Sequence, residues 1–297
     1  RLASHDSRIP MPMRPLLLAV PLLLAAVPAA AQSWRAPEPA MPGLPAAIGF
    51  ASAIALQGDE LFAGRTGRVS GLPAPPSHGG GVVRFRRGAD GRWTESDVLV
   101  ARGATLGDGF GSALAVQGDW LAVGAPQHGA TGAVFVFRKV AGKWTEHAML
   151  TPPLGRTGDE FGAAVALEAQ RLAIGAPGAD SARGAVYSTV RDRRSASWSP
   201  VVRVGGGQET YDRLGDAVAT WGDRVLAGAP GVMRGGPNPF GGGAPPVMRN
   251  GTARVFVADR RGAWTEEAVL ASTADTAKAY GAAVWLDGSE AFVGAPR

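Results

Sequence analysis

The amino-acid sequence predicts an all-β protein, a β-propeller built from four-stranded antiparallel blades. Three observations support this prediction. One segment recurs five times along the chain, strand-like runs follow the copies, and a very short turn joins the first two runs of most units. Repetition at a period of tens of residues is typical of repeat architectures, in which each copy is one small structural unit.

The recurring segment is seventeen residues long and reads FGSALAVQGDWLAVGAP at 110–126. The other four copies align with it without a gap. They are FASAIALQGDELFAGRT from Phe50, FGAAVALEAQRLAIGAP from Phe161, LGDAVATWGDRVLAGAP from Leu214 and YGAAVWLDGSEAFVGAP from Tyr280. The repeats of the domain therefore begin at residues 50, 110, 161, 214 and 280.

Each complete unit continues with two further runs. The third run reads GAVFVFRK at 132–139, and we match it with GVVRFRRG at 81–88 in the first unit. The fourth run begins with tryptophan, as in WTEHAMLT at 144–151. Runs of five to eight residues that are rich in Val, Phe, Trp and Thr and bounded by Gly, Asp or Pro predict strands. No stretch after residue 31 sustains the helical period.

The connection between the first two runs is a tight hairpin, as Gly118-Asp119 shows in the second unit. Each unit is therefore predicted to be a four-stranded meander, with four complete units and one partial unit in this chain. Sheets of this size that repeat head to tail are propeller blades. The first run is rich in Ala and Gly, as expected near a narrow axis. The third run is apolar on successive residues, as expected when neighbouring blades cover both of its faces.

Tryptophan spacing predicts how the ring closes. Trp264 stands 16 residues before Tyr280, and Trp34 stands 16 residues before Phe50. Residues 32–49 are therefore expected to supply a fourth strand that completes the last blade.

The pairs Phe110-Gly111 and Phe161-Gly162, each followed by Gly-Ala-Pro at 124–126 and 175–177, resemble FG-GAP repeats, the blade unit of integrin α-chain propellers. The resemblance covers 50–297. The departures are Ala51 for Gly, Arg65-Thr66 for Ala-Pro, and Leu214 and Tyr280 for Phe. The family implies about seven blades, so the chain, which stops one residue after the last GAP, is expected to be part of a longer protein.

Many FG-GAP blades carry a DxDxDG hairpin for calcium, a cation that requires several oxygen ligands from one loop. Here the corresponding hairpin, Gly118-Asp119, has a single carboxylate. The chain therefore resembles the bacterial, calcium-free variety of the repeat, and we expect no cofactor. We read the turn aspartates as turn formers that bond their own backbone.

The first 31 residues indicate export. Met13-Arg14 precedes the apolar run PLLLAVPLLLAAV, and Ala29-Ala30-Ala31 offers a cleavage site before Gln32, as in a secretory signal peptide. The chain has no cysteine and a net charge of +5 with scattered arginines, so neither disulfides nor nucleic-acid binding is expected. The prediction is a protein that is secreted or held in a bacterial envelope, in the periplasm or outside the cell.

Candidate binding residues lie on one face of the predicted propeller. The connections between second and third strands and between successive blades are long and share that face, and variable loops on a rigid scaffold are where binding resides. The candidates are Arg65, His78, His128, Asp180, Arg183, Arg234, Asn238, Phe240 and Arg249. Asp108, Asp159 and Asp212, each two residues before a repeat start, are instead predicted to be capping acceptors at the strand entry.

The sequence offers little sign of a catalytic site: it has no GxSxG, HExxH or P-loop pattern. The function predicted first is a secreted, non-catalytic scaffold that binds a protein or a surface glycan. Its basic short-turn face could make weak contact with anionic envelope polymers. The alternatives are a propeller hydrolase or lyase with its site at the axial mouth or beyond Arg297, and one module of a large adhesin.

Overall fold

The structure is a computed structural model that describes residues 50–66, 80–105, 107–231, 251–273 and 279–295. The chain divides into two units, residues 1–40 and 41–297, and all described residues lie in the second. The predicted signal peptide and the predicted closing strand at 32–49 fall outside the described residues. No helix within the described ranges has the length and apolar character required to cross a membrane.

The described chain folds into antiparallel sheets, and its order of strands repeats. The strands are β1 (Phe50–Gln57), β2 (Glu60–Arg65), β3 (Gly81–Arg87), β4 (Trp93–Leu99), β5 (Ala113–Gln117), β6 (Trp120–Ala125), β7 (Ala133–Val140), β8 (Lys143–Leu150), β9 (Ala164–Glu168), β10 (Arg171–Ala176), β11 (Ala185–Val190), β12 (Val202–Gly206), β13 (Ala217–Trp221), β14 (Arg224–Ala229), β15 (Thr252–Ala258), β16 (Trp264–Ala271), β17 (Ala283–Asp287) and β18 (Glu290–Gly294). A short helical turn, α1 (Ala179–Ala182), lies between β10 and β11.

Four sheets of four strands and one sheet of two strands result, each in sequence order from its first strand to its last. This confirms the all-β class and the arrangement of propeller blades, four complete and one partial. In the third sheet the fourth strand begins only at Val202, because Pro200 lacks the N–H that a ladder requires. Trp198, at the predicted start of that strand, forms an isolated bridge with Arg191.

Successive sheets pack face to face. The first strands β1, β5, β9, β13 and β17 each contact the next in order, and a separate apolar cluster fills each of the four sheet–sheet junctions. The second and third strands are almost continuously buried, as in β6 and the first five residues of β7. This confirms the prediction that both faces of the third strand are covered.

The FG and GAP glycines of neighbouring sheets meet at every sheet–sheet junction. Two observations explain why these positions are glycine. Gly162 has a φ of 92°, a conformation that only glycine adopts freely, and its N–H donates to the Gly175 carbonyl in its own unit. A Cβ on Gly124 of the preceding sheet would overlap the Gly162 carbonyl oxygen. The pairs Gly64–Gly111, Gly175–Gly215 and Gly228–Gly281 repeat this close approach.

Our match of the first unit's third strand is wrong by one residue. Arg65 pairs with Gly81, whereas Ala125, its counterpart in the second unit, pairs with Ala133. Gly81 therefore corresponds to Ala133, and the loop before β3 differs in length. The shift places Arg84 on the side of the first sheet that faces the second.

The first and fifth sheets also have one exposed apolar face each. Ile54 and Leu56 of β1 are 59% and 60% exposed, whereas the residues at the same positions in β5, β9, β13 and β17 pack towards the preceding sheet. On the fifth sheet Trp285 and Phe292 are 52% and 55% exposed and pack against each other.

Candidate functional site

The loop-rich face is defined here by the connections between successive sheets and by those between second and third strands. Among the described residues these are 100–112, 151–163 and 207–216, together with 126–132 and 177–184. Both kinds of connection emerge at the same end of the antiparallel sheets. The loops of two neighbouring sheets therefore form each of the junctions described below.

One aspartate organises each junction. Side-chain oxygens of Asp108, Asp159 and Asp212 accept the backbone N–H three residues earlier, at 2.6, 2.8 and 2.8 Å. Their backbone carbonyl oxygens accept the N–H of the residue that follows a GAP proline, at 3.0, 3.1 and 3.3 Å. Each aspartate therefore caps its own loop and ties that loop to the next one. This confirms the prediction that they are capping acceptors.

At the first junction a histidine fills the space between the loops. His128 Nδ1 lies 2.8 Å from Asp108 Oδ2, and its ring packs edge-on against Phe135 at 5.2 Å. Burial raises the pKa of Asp108, but hydrogen bonds from Thr105 and His128 outweigh burial and hold that pKa below its usual value. The predicted binding residue His128 is thus mostly enclosed, with about a fifth of its side chain exposed.

At the second junction the predicted residues Asp180 and Arg183 lie together. Asp180 Oδ2 accepts a hydrogen bond from Arg203 Nη2 at 2.5 Å, and this contact lowers the pKa of Asp180. The Arg183 carbonyl accepts the N–H of Leu214 at 3.0 Å, so the backbone of this loop also reaches the third junction, between the third and fourth sheets. The α1 turn brings Asp180 to this position through left-handed backbone at residue 180 itself and at Ser181.

Of the remaining predicted binding residues, Arg65 alone lies within the described ranges. Arg65 ends β2, where it pairs with Phe50 and Gly81, and it is half-buried. Five of the predicted residues lie outside the described residues: His78, Arg234, Asn238, Phe240 and Arg249.

The third junction contains a cavity of about 310 Å³. Its lining residues are Gln208, Glu209, Asp212, Ala229, Gly231, Thr252 and Arg254. Burial raises the pKa of the Asp212 carboxyl, against the opposing hydrogen bond from the Gln208 backbone. The cavity therefore combines carboxylate, amide, hydroxyl and guanidinium groups within one concave surface.

Arg254 explains why this junction differs from the other two. It pairs with Ala227, at the register position that Phe135 and Tyr187 occupy in the second and third sheets. It is 5% exposed, and its Nη1 donates to Glu266 Oε2 at 2.8 Å. Its buried Nε has no hydrogen-bond partner within the described part of the chain.

Sequence reasoning missed this cavity. The available signal was the arginine in TARVFVA, at a third-strand position where two other units have Phe and Tyr. A buried charge in an apolar run is rare unless it is paired, so such a position indicates a special environment. Within the described ranges no group of three or more His, Cys, Asp or Glu side chains could hold a metal ion.

These features define the chain as a repeat protein of propeller-type sheets with variable loops on one face. Residues 93–137 and 144–189 match the FG-GAP repeat family. Each matched segment runs from the fourth strand of one sheet through the third strand of the next, so the resemblance to FG-GAP repeats is confirmed there. No curated protein matches the chain. Repeats of this kind indicate a binding or adhesion scaffold in general.

Proposed function

We propose that the protein is a secreted, non-catalytic binding scaffold that recognises a protein or a surface glycan through its loop-rich face. The observation that carries the proposal is the third junction. This junction has the same aspartate-capped loops as the other two. However, Arg254 stands where the second and third sheets have Phe135 and Tyr187, and a cavity lies beside it. The capped loops hold this cavity on a rigid support, which lowers the entropy lost on binding.

The cavity lining favours a polar ligand group. Asp212 can accept hydrogen bonds, Arg254 can donate them, and Gln208 and Thr252 can do either. A sugar hydroxyl pair or a polar side chain would satisfy such a lining. An apolar group would leave these partners unpaired, at a cost of about 1–3 kcal/mol for each buried group.

The test uses purified, folded protein and its Asp212→Asn variant. An amide at residue 212 can still accept the backbone N–H groups that the carboxylate caps, so folding is expected to be retained while the negative charge is lost. Both proteins are screened against an array of immobilised neutral and acidic oligosaccharides and against a panel of displayed peptides. We expect at least one ligand whose affinity falls by tenfold or more in the variant.

A matched control is Arg261→Gln, an exposed residue of the short turn between β15 and β16. This change is expected to leave the affinity for that ligand within twofold of the affinity of the unchanged protein. Binding that resists Asp212→Asn but is lost with Arg261→Gln would contradict the assignment of the face. A ligand that is recovered chemically altered would contradict the non-catalytic function and favour a hydrolase or lyase.

A further inference from the structure

The short-turn face is the opposite end of the sheets, where first strands turn into second strands and third strands into fourth strands. On this face two guanidinium groups lie over a single tryptophan between the second and third sheets. Arg191 Cζ lies 4.6 Å and Arg138 Cζ 5.4 Å from the centroid of the Trp120 ring. One stacked guanidinium already gains the cation–π attraction. The second adds a like charge that acts on the first, which costs electrostatic energy.

The nearby carboxylate of Asp192 compensates for this repulsion only in part. Burial, together with the charges of Arg138 and Arg193, lowers the pKa of Arg191. Asp192 opposes that shift only weakly, and its Oδ1 already accepts the backbone N–H groups of Arg194 and Ser195, at 2.8 and 2.7 Å. Within the described ranges none of these arginines forms an ion pair.

The neighbouring junctions are built differently on this same face. Between the first and second sheets Lys139 Nζ lies 2.8 Å from Glu60 Oε2. Between the third and fourth sheets Arg171 stacks on a tryptophan, and the carboxylates of Glu168 and Asp223 stabilise its charge. Lys139 thus has an ion-pair partner, and Arg171 lies near two carboxylates. At Trp120 the described residues place two guanidinium groups over one ring, and the carboxylate that acts on Arg191 is that of Asp192 alone.

We propose that Arg138 and Arg191 form a binding site for a sulfate or phosphate group carried on an anionic glycan polymer. Guanidinium groups bind oxyanions through several charge-assisted N–H donors at once. A bound oxyanion would neutralise the charges that repel each other in the free protein. This site is independent of the cavity on the loop-rich face.

The ring at the centre of the site favours a glycan over a nucleic acid. Trp120 is only 7% exposed, because the rings of His147 and Trp198 pack nearly perpendicular to it, at 5.0 and 5.8 Å between centroids, and the guanidinium groups lie over it. Single-stranded nucleic acids are held largely by bases that stack on open aromatic faces. No such face is available here, so recognition depends on the oxyanion itself.

The experiment follows the Trp120 indole N–H signal by two-dimensional NMR while dextran sulfate is added, with neutral dextran as the reference polymer. We expect a saturable shift with dextran sulfate, a smaller saturable shift with inorganic sulfate, and none with neutral dextran or with sodium chloride at matched ionic strength. Arg191→Gln is expected to weaken the response to dextran sulfate tenfold or more. The milder Arg191→Lys, which keeps the charge but not the planar fork, should weaken it several-fold.

Arg261→Gln, which removes a charge from the corresponding turn of the fourth sheet, should leave the response unchanged. An equal loss in Arg261→Gln and Arg191→Gln would show only diffuse attraction and overturn the site. A response to inorganic sulfate without one to dextran sulfate would overturn the polymer ligand. Tighter binding of single-stranded DNA than of dextran sulfate would overturn the glycan assignment.

Discussion

At the scale of single residues, backbone conformation explains much of the repeated sequence. The tight turn between first and second strands has a glycine with φ of 55° to 58° at Gly58, Gly118, Gly222 and Gly288. The third unit has Ala169 there instead, with a φ of 51° and an exposed side chain. A side chain in this left-handed region costs about 1 kcal/mol.

Replacing Ala169 by glycine is therefore expected to stabilise the protein by about 1 kcal/mol, less the entropy that glycine gains in the unfolded chain. The measurement is the free energy of unfolding from urea titration. Gly118→Ala is the matched reverse change and should destabilise by a similar amount. A destabilising Ala169→Gly would contradict the backbone argument.

At the scale of elements, the GAP strand must approach the next sheet without a side chain. Gly124 of β6 has the Gly162 carbonyl in the space of its Cβ. A Cβ on Gly88, in the turn after β3, would instead meet the carboxylate of Asp90, an exposed side chain.

Gly124→Ala is expected to cost about 3 kcal/mol, at the upper end for overpacking of a core, because a backbone carbonyl cannot move away alone. Gly88→Ala should cost less than about 1 kcal/mol, since the exposed Asp90 side chain can move aside. Thermal unfolding of both variants tests the difference. Equal losses at the two positions would contradict the close approach between sheets.

The sheets and hairpins could be predicted because each is encoded locally, by tight turns and by runs of β-branched and aromatic residues. The relation between units was harder to predict. Consecutive glycines before β3 left the alignment of that strand ambiguous by one residue, and only the strand pairing shows that Arg84 faces the second sheet. The cavity beside Arg254 depends on contacts between segments far apart in sequence, so its residues could not be grouped from spacing alone.

At the scale of the whole molecule, charges as well as apolar clusters join neighbouring sheets. Glu60 of the first sheet accepts a hydrogen bond from Arg84 and another from Lys139 of the second sheet. Burial raises the pKa of Glu60, but the contacts with Lys139 and Arg84 outweigh burial and leave it below its usual value. Breaking such a buried pair leaves a charge without compensation.

This network predicts a pH dependence of stability. Because the folded-state pKa of Glu60 is depressed, its contribution is complete above the ordinary glutamate pKa of about 4.3 and is lost as pH falls below that value. The free energy of unfolding should therefore fall less steeply below pH 5 in Glu60→Gln than in the natural chain. An identical acid slope in both proteins would show that Glu60 does not couple the sheets.

The central claim is that each repeat forms one sheet whose middle strands are enclosed by its neighbours. Native-state hydrogen exchange tests it most directly. We predict the slowest amide exchange in the middle strands β6, β7, β10 and β11, and faster exchange in β8 and β12, the outer strands of the same two sheets. Protection that is equal across all these strands, or greatest in β8 and β12, would contradict the packing of the repeats described here.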